Sequence, residues 1–223
     1  MIGDPSEQSD GRSWRTRSAS LRPLSCVVAL AAVLSGCAAQ STTSSNGWYD
    51  SQNGLQPRDD RLYICHAFGC ARKTPVQLGS RDLRRLAAIL REGRASPASE
   101  RAAVARAVAW METRVAAEVG SANDRAGFDT SGAGVPGQMD CIDEATNTTS
   151  LLLLAEKRGY LKHHRVGSPV ARGFLIDGRY PHATAVLRQR GGADYAVDSW
   201  PKANGAQPVI QPLDAWFAAR PAL

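Results

Sequence analysis

The sequence predicts a single α+β domain, in which helices come first and an antiparallel sheet follows. Apolar residues recur at helical spacing between residues 80 and 119, and a further apolar stretch lies at residues 151–154. From residue 170 to residue 200 the pattern changes to short strands separated by glycine-containing turns. Helices grouped ahead of strands are typical of α+β proteins, and 223 residues suffice for one core with appendages.

Two helices are predicted ahead of a central loop. The first begins at Ser80, which is a suitable N-cap, and ends near residue 91. The second has Ser96 as its N-cap, a proline in its first turn and Gly120 at its end. Residues 120–137 contain five glycines and one proline, which is typical of a loop.

A third helix is predicted to start near Cys141 and to run, buried, to about Gly159. Asp140 can accept hydrogen bonds from the first turn, as an N-cap does. Because the side chains at residues 151–154 are apolar on every side, this helix is expected in the core. Three strands are expected after it, at residues 170–176, 182–188 and 195–200.

The amino terminus has the pattern of an export signal with a lipid attachment site. Arginines precede an apolar run at residues 24–34, which is long enough for a signal peptide and too short to span a membrane. The run ends in Leu-Ser-Gly-Cys at residues 34–37, which resembles the lipobox of bacterial lipoproteins. The resemblance implies removal of residues 1–36, acylation of Cys37 and attachment to the membrane through a lipid anchor. The alternative is an ordinary secretory signal that ends in cysteine.

The residues after Cys37 predict a tether and a location. Residues 37–60 are poor in aliphatic side chains, so we expect a flexible tether to a folded domain at residues 61–223. Because Ala38 rather than aspartate follows the lipobox, the resemblance to sorted lipoproteins implies a place in the cell envelope, on the outer membrane facing the periplasm.

The net charge gives little support to a nucleic-acid partner. The chain has 27 basic and 21 acidic side chains, and without residues 1–36 the numbers become 23 and 18. Such an excess can attract anionic surfaces or polymers. The sequence has no basic run interleaved with aromatic residues, so we expect a solvated basic surface and no nucleic-acid binding.

The five cysteines divide by their surroundings. Cys65 and Cys70 lie five positions apart and can pair in an oxidising compartment, which leaves Cys141 as a free thiol. Such a disulfide would rigidify an edge of the domain and leave catalysis unaffected. The alternative is a zinc half-site that includes His66, but the sequence has no second cysteine or histidine pair of comparable spacing. We expect no metal and no other cofactor.

Cys141 is the candidate nucleophile, because the amino terminus of a helix favours the thiolate form. Neighbouring aspartates oppose this effect, so a cationic partner is expected beside the sulfur. Of the four histidines, His182 is the best candidate because it opens a strand of small and branched residues. His163 and His164 follow the third helix in a polar stretch and are expected at the surface.

Asp198 is the candidate third member of a triad. It lies in an apolar strand, where an unpaired carboxylate is costly to bury. If the five residues 188–192 connect the two strands, His182 lies directly opposite Asp198. The carboxylate could then hold one imidazole nitrogen and orient the other toward the thiol.

These residues together resemble the transglutaminase-like superfamily, and in particular its bacterial cysteine peptidase branch. The resemblance is carried by Met-Asp-Cys-Ile-Asp-Glu-Ala at residues 139–145, His-Ala-Thr-Ala-Val at 182–186 and Ala-Val-Asp-Ser-Trp at 196–200. It spans residues 138–200, with Met139 in place of the usual glycine and Ser199 in place of asparagine or proline. It implies a papain-like or transglutaminase-like core, with the cysteine on a central buried helix packed near an antiparallel sheet.

The resemblance also implies a mechanism. Cys141 would attack a carbonyl carbon, His182 would act as base and then acid, and Asp198 would orient His182. The backbone N–H of Cys141 and a second donor would hold the oxyanion, and Gln138 is the candidate for that donor if it is not an ordinary loop glutamine. The implied substrate is an amide in a peptide or in peptidoglycan. Whether the protein has a protein partner is unknown from the sequence.

Other interpretations stay open at this level. A catalytically silent binding or scaffold lipoprotein would keep the same fold, and in a purely structural lipoprotein Cys141 would be an inert buried thiol. Trp200 and Trp216 either line a substrate groove or pack at the edge of the sheet.

Overall fold

A computed structural model describes residues 45–127, 130–173 and 181–219 of the chain. The export signal at residues 1–36, the lipidation candidate Cys37 and the end of the strand expected at 170–176 lie outside the described residues. Within them, no helix is long and apolar enough to cross a membrane.

The described residues form a mixture of helices and antiparallel sheet, which confirms the predicted α+β class. The helices are α1 Ser45–Ser51, α2 Ser80–Arg91, α3 Pro97–Val119, α4 Cys141–Lys157 and α5 Leu213–Ala218, and a short 3₁₀ helix covers Thr130–Gly132. The strands are β1 Arg61–His66, β2 Arg72–Gln77, β3 His164–Arg172, β4 His182–Gln189, β5 Asp194–Asp198 and β6 Val209–Pro212.

The strands form two antiparallel sheets, and α4 packs against both. β1 and β2 form a two-stranded sheet, and the other four strands form a sheet in the order β3-β4-β5-β6. Helix α4 packs against β1 and against β3, β4 and β5, so it lies in the centre of the domain. Its buried leucines at 151, 152 and 154 belong to the main apolar cluster, and each contributes roughly 1.5–3 kcal/mol by leaving water.

The ends of the long helices follow local sequence signals. The Ser96 hydroxyl accepts a hydrogen bond from the Ser99 N–H at the start of α3, and Gly120 ends this helix with φ 82°. At α4, the Asp140 carboxylate accepts bonds from the N–H groups of Ile142 and Asp143. The predicted helices at 80–91, 96–120 and 141–159 are thereby confirmed to within two residues or so.

The structure differs from the sequence prediction at the start of β3. This strand begins at His164, six residues before the predicted strand, and His164 is completely buried rather than exposed. Its Nδ1 lies 2.9 Å from Glu100 Oε1, and the same carboxylate accepts hydrogen bonds from the N–H groups of Lys162, His163 and His164. The buried acceptor on α3 therefore satisfies the backbone at the start of this strand and explains why it can form from polar residues.

Residues 45–60, which were expected to belong to a flexible tether, are part of the folded unit. Helix α1 packs against α4 through two aromatic side chains. Tyr49 is 1% exposed and its hydroxyl lies 2.8 Å from Ser150 Oγ, while Trp48 Nε1 donates to Thr146 Oγ1 at 2.9 Å. These two aromatic residues give a polar segment enough buried surface to fold.

Candidate active site

Cys141 is the first residue of α4 and is 7% exposed. Its sulfur lies 3.8 Å from the carbonyl oxygen of Pro181, and it accepts a hydrogen bond from the N–H of Ala183. Both groups belong to the backbone that flanks His182. The sulfur therefore lies against the start of β4, where the sequence places the candidate base.

The pairing of β4 with β5 differs by two residues from the prediction. Ala185 is opposite Val197 and Arg188 is opposite Asp194, so the hairpin is centred on Gly191 rather than on Arg190. Gly191 has φ 69°, a conformation that glycine adopts without strain, so the chain can turn at this residue. His182 and Asp198 are thus diagonal neighbours instead of direct partners.

A shift of two residues keeps every side chain on its own face of the sheet, and so the predicted contact survives. His182 Nε2 lies 2.7 Å from Asp198 Oδ2. Trp216 of α5 donates its indole N–H to the same carboxylate oxygen at 2.9 Å. Both triad side chains are nearly fully buried, since His182 and Asp198 are 3% and 4% exposed.

The bond to Asp198 leaves the other ring nitrogen of His182 open. Nδ1 is buried and has no hydrogen-bond partner among the described residues. Because Nε2 faces the carboxylate, Nδ1 is the nitrogen that can take a proton from the thiol. It is also the ring nitrogen nearer to its own backbone, against which the Cys141 sulfur lies.

Two indole rings enclose His182. The centroid of its ring lies 4.6 Å from that of Trp200 and 5.4 Å from that of Trp216, and both pairs are tilted. The Arg172 guanidinium lies over the Trp216 ring, 4.2 Å from its centroid. Trp216 is fully buried and Trp200 only partly so, which means that of these two only Trp200 can face a substrate.

The electrostatic surroundings keep the thiol protonated at rest. Burial raises the pKa of Cys141 to about 12, and the carboxylates of Asp140 and Asp198 add to this effect. The N–H groups of Ala183 and of Cys141 itself lower the pKa, but they do not compensate for the loss of water. The helix terminus alone therefore does not give a thiolate here, and deprotonation of Cys141 needs a base, as the opposing effect of the neighbouring aspartates predicts.

The loop that carries the disulfide candidates contacts the first turn of α4, where Cys141 lies. The sulfurs of Cys65 and Cys70 are at bonding distance. Asp143 accepts hydrogen bonds from the N–H groups of Phe68 and Cys70 at 2.8 and 2.7 Å. In addition, Asp140 accepts one from Gly69 at 3.0 Å.

This arrangement corrects the view that the disulfide affects only an edge of the domain. The loop supplies hydrogen-bond donors to the two aspartates that flank Cys141. His66, the third candidate ligand of the alternative zinc site, accepts at Nδ1 from the Gly137 N–H, and its Nε2 lies 3.0 Å from Thr74 Oγ1. Both of its ring nitrogens are used within the fold.

The loop before Cys141 passes close to Gly120 at position 137, where only glycine fits. Gly137 has φ 87°, and a Cβ at this position would collide with the Gly120 carbonyl. Gln138, the oxyanion candidate, donates its side-chain N–H to the main-chain carbonyl of Asn123 at 3.0 Å, while its main-chain carbonyl accepts from the Ala67 N–H. In this structure the Gln138 side chain is thus bonded within the loop.

Trp48 is a site residue that the sequence reasoning missed. It packs with Ile142 and Trp200 around the small buried cluster of Cys141, Ala145 and Ala183. The only signal in the sequence was a tryptophan next to a tyrosine in an otherwise polar segment.

Comparison of the chain with protein-family models, with curated proteins and with solved structures finds no match. The functional conclusion therefore depends on the geometry of the site itself. That geometry brings a buried thiol, an imidazole with one open nitrogen and a carboxylate together at the junction of α4, β4 and β5. These are the groups that nucleophilic acyl transfer requires.

Proposed function

We propose that this protein is a transglutaminase-like cysteine hydrolase or acyltransferase that acts on amide bonds through Cys141, His182 and Asp198. One observation carries the proposal. His182 uses Nε2 to bind Asp198 at 2.7 Å and keeps a buried, unpartnered Nδ1, while the Cys141 sulfur lies against the backbone on both sides of His182. Buried polar groups with a purely structural role are usually hydrogen-bonded, so the open Nδ1 supports a chemical role for His182.

The chemistry follows from these positions. His182 Nδ1 takes the proton from the Cys141 thiol as the sulfur attacks the carbonyl carbon of the amide. The tetrahedral intermediate collapses, the C–N bond breaks, and His182 gives the proton to the leaving amine. A thioester remains on Cys141, and water or a second amine attacks its carbonyl carbon while His182 takes a proton from the attacking group. The C–S bond then breaks, the acyl group leaves, and His182 returns the proton to the Cys141 sulfur.

Asp198 has two tasks in this scheme. It fixes the imidazole in the tautomer that leaves Nδ1 free as an acceptor, and it stabilises the positive ring that forms after proton transfer. Trp216 supports the carboxylate by donating to the same oxygen. The scheme uses only side chains and backbone groups of this chain, and it assigns no step to a cofactor.

The proposed place of action follows from the amino-terminal pattern. A lipid anchor at Cys37 would hold the domain in the cell envelope, on the outer membrane facing the periplasm, and the disulfide suits that compartment. The amide substrates available there are peptides and peptidoglycan.

A catalytically silent binding module is the second candidate, and one observation favours it. The thiol is directed to the Pro181 carbonyl rather than to His182 Nδ1, and burial raises the pKa of Cys141 to about 12. A protein that had lost catalysis could keep such an inert thiol within an intact fold.

Alkylation separates the two candidates. Iodoacetamide is applied to the full chain at pH 7, and modification of Cys141 is followed by peptide mass spectrometry, which resolves it from Cys26 and Cys37. If Cys141 and His182 act as a pair, His182→Ala should slow alkylation of Cys141 at least tenfold, because the thiol loses its base. His163→Ala is the matched control, since its Nε2 lies 3.0 Å from the Arg94 carbonyl, outside the site. Equal rates for wild type and His182→Ala would refute the proposal.

A substrate screen completes the test. Envelope peptides and peptidoglycan fragments are incubated with wild type and with Cys141→Ala, and cleaved or cross-linked products are identified by mass spectrometry. Products that form only with wild type identify the substrate class and distinguish hydrolysis from transfer to an amine.

A further inference from the structure

Glu144 is a buried acid that the proposed mechanism does not use. It lies three residues after Cys141, so one helical turn separates the two, and it is 5% exposed. A charged carboxylate is costly in such a place. Burial raises the pKa of Glu144 well above its ordinary value, and the Glu112, Asp124 and Asp143 carboxyls raise it further.

The side chain of Glu144 connects two parts of the triad. Its Oε2 accepts a hydrogen bond of 2.8 Å from the hydroxyl of Ser199, which directly follows Asp198. Ser199 is itself buried, and its hydroxyl lies 3.3 Å from Thr148 Oγ1, one turn further along α4. The helix that carries the nucleophile is thus bonded to the residue next to the triad carboxylate.

The hydrogen bond between Ser199 and Glu144 lies where it can influence the position of Asp198. Strand β5 ends at Asp198, and the last pair between β5 and β6 joins Asp198 to Val209. The sheet ladder therefore does not continue through Ser199. Hydrogen bonds to α4 hold Ser199 instead, and through it they determine where the chain leaves the triad.

We propose that Glu144 is a positioning residue, which acts through Ser199 to hold Asp198 and His182 in place relative to Cys141. The inference rests on the proposed function, because it assigns Glu144 a role in the same site. The required feature is a hydrogen-bond acceptor at this point. A neutral carbonyl of the same shape therefore serves as well as the acid.

Three substitutions in the full chain test this role. Glu144→Gln keeps the acceptor and the volume, Glu144→Leu keeps only the volume, and Ser199→Ala removes the donor. For each variant the rate of Cys141 alkylation at pH 7 is compared with wild type, and the free energy of unfolding is measured with urea. Glu112→Gln is the matched control, because this buried carboxyl bonds to the Gly205 N–H away from the triad.

The expected result is a rescue by the conservative variant. Glu144→Gln and Glu112→Gln keep the alkylation rate within about twofold of wild type, whereas Glu144→Leu and Ser199→Ala lower it by about fivefold, the effect of one lost hydrogen bond. The double variant Glu144→Leu/Ser199→Ala loses no more than Ser199→Ala alone, because that substitution already removes the bond to Glu144.

Two results would overturn the inference. One is a Ser199→Ala protein that folds with an unchanged alkylation rate, and the other is a Glu144→Gln protein as slow as Glu144→Leu. Ser199→Ala decides the matter if Glu144→Leu does not fold. Failure of the proposed function looks different, since His182→Ala would then leave the rate unchanged as well.

Discussion

Removal of the disulfide is predicted to destabilise the site as well as the loop. The perturbation is Cys65→Ala/Cys70→Ala, or reduction of wild type with dithiothreitol. Ala67, Phe68 and Cys70 all have positive φ, between 53° and 68°, which costs about 1 kcal/mol for each such residue. Without the covalent bond the loop can relax this backbone, and it then withdraws its N–H groups from Asp140 and Asp143.

The expected loss can be estimated from two contributions. Closure of a six-residue loop stabilises the folded state by about 2 kcal/mol in the chain-entropy treatment. The N–H groups of Phe68 and Cys70 that reach the fully buried Asp143 contribute about 1 kcal/mol each. Relief of the strained backbone returns up to about 3 kcal/mol of this total, so the free energy of unfolding should fall by about 1–4 kcal/mol.

Urea unfolding with and without dithiothreitol measures this loss, and alkylation of Cys141 reports on the site. We expect the reductant to lower the stability of wild type and to leave the double variant unchanged. The difference between wild-type and His182→Ala alkylation rates should also shrink when the loop is open, since the first turn of α4 loses its support. A reduced wild-type protein whose stability lies within about 0.5 kcal/mol of the oxidised one would refute the reasoning.

Three further predictions concern the buried groups. Trp48→Ala should let water reach Cys141 and lower the pKa of its thiol from about 12, which a pH series of alkylation rates would detect as a midpoint at lower pH. Glu100→Ala should lower stability by roughly 3 kcal/mol at pH 7, since it leaves a buried histidine and three N–H groups without their acceptor. Burial raises the pKa of Glu100, but bonds from His164 and the backbone outweigh it, so its net pKa is lowered. The stability from Glu100 is therefore present above about pH 4.5 and lost on further acidification, and Glu100→Ala should flatten this part of a urea-unfolding pH profile. The contribution of Glu112 to stability depends on pH in the opposite direction, because burial raises its pKa to about 7. Its protonated form is favoured by the fold, so stability should fall as pH rises from about 5 to 8, and Glu112→Gln should reduce that fall in thermal melts.

The parts of the fold that the sequence predicted well are those decided within a few residues. The cap at Ser96, the glycine at 120 and the carboxylate at Asp140 act on backbone groups of their own helix turns. Such signals are readable without tertiary information. The position of Cys141 at the start of a buried helix belongs to this class.

The missed features depend on distant partners. His164 looks like a surface residue until Glu100, 64 residues earlier, is known to accept its N–H. Helix α1 has the composition of a linker, and its order depends on Tyr49 and Trp48 reaching α4 about 100 residues away. No local pattern contains these contacts.

The hairpin register is an intermediate case. The two glycines at 191 and 192 indicate a turn, but they do not determine its centre, and the prediction placed it one residue too early. The predicted contact between His182 and Asp198 is present despite this error, because side chains in a strand alternate between faces with a period of two. A turn shorter or longer by one residue would have placed His182 and Asp198 on opposite faces, so the contact observed at 2.7 Å depends on the parity of the loop.

The raised pKa of the Cys141 thiol and the geometry of the candidate triad both depend on the Asp198 carboxylate. Asp198 raises the pKa of Cys141 because it repels a lone thiolate. In the proposed mechanism the same carboxylate would stabilise the positive imidazole that forms when His182 accepts the thiol proton. The relevant quantity would be the free energy of the charged pair, in which thiolate and imidazolium attract each other in a buried site, and not the titration of either group alone. A neutral resting thiol is compatible with this proposal, and it would be less open to oxidation than a thiolate until a substrate carbonyl took up the negative charge.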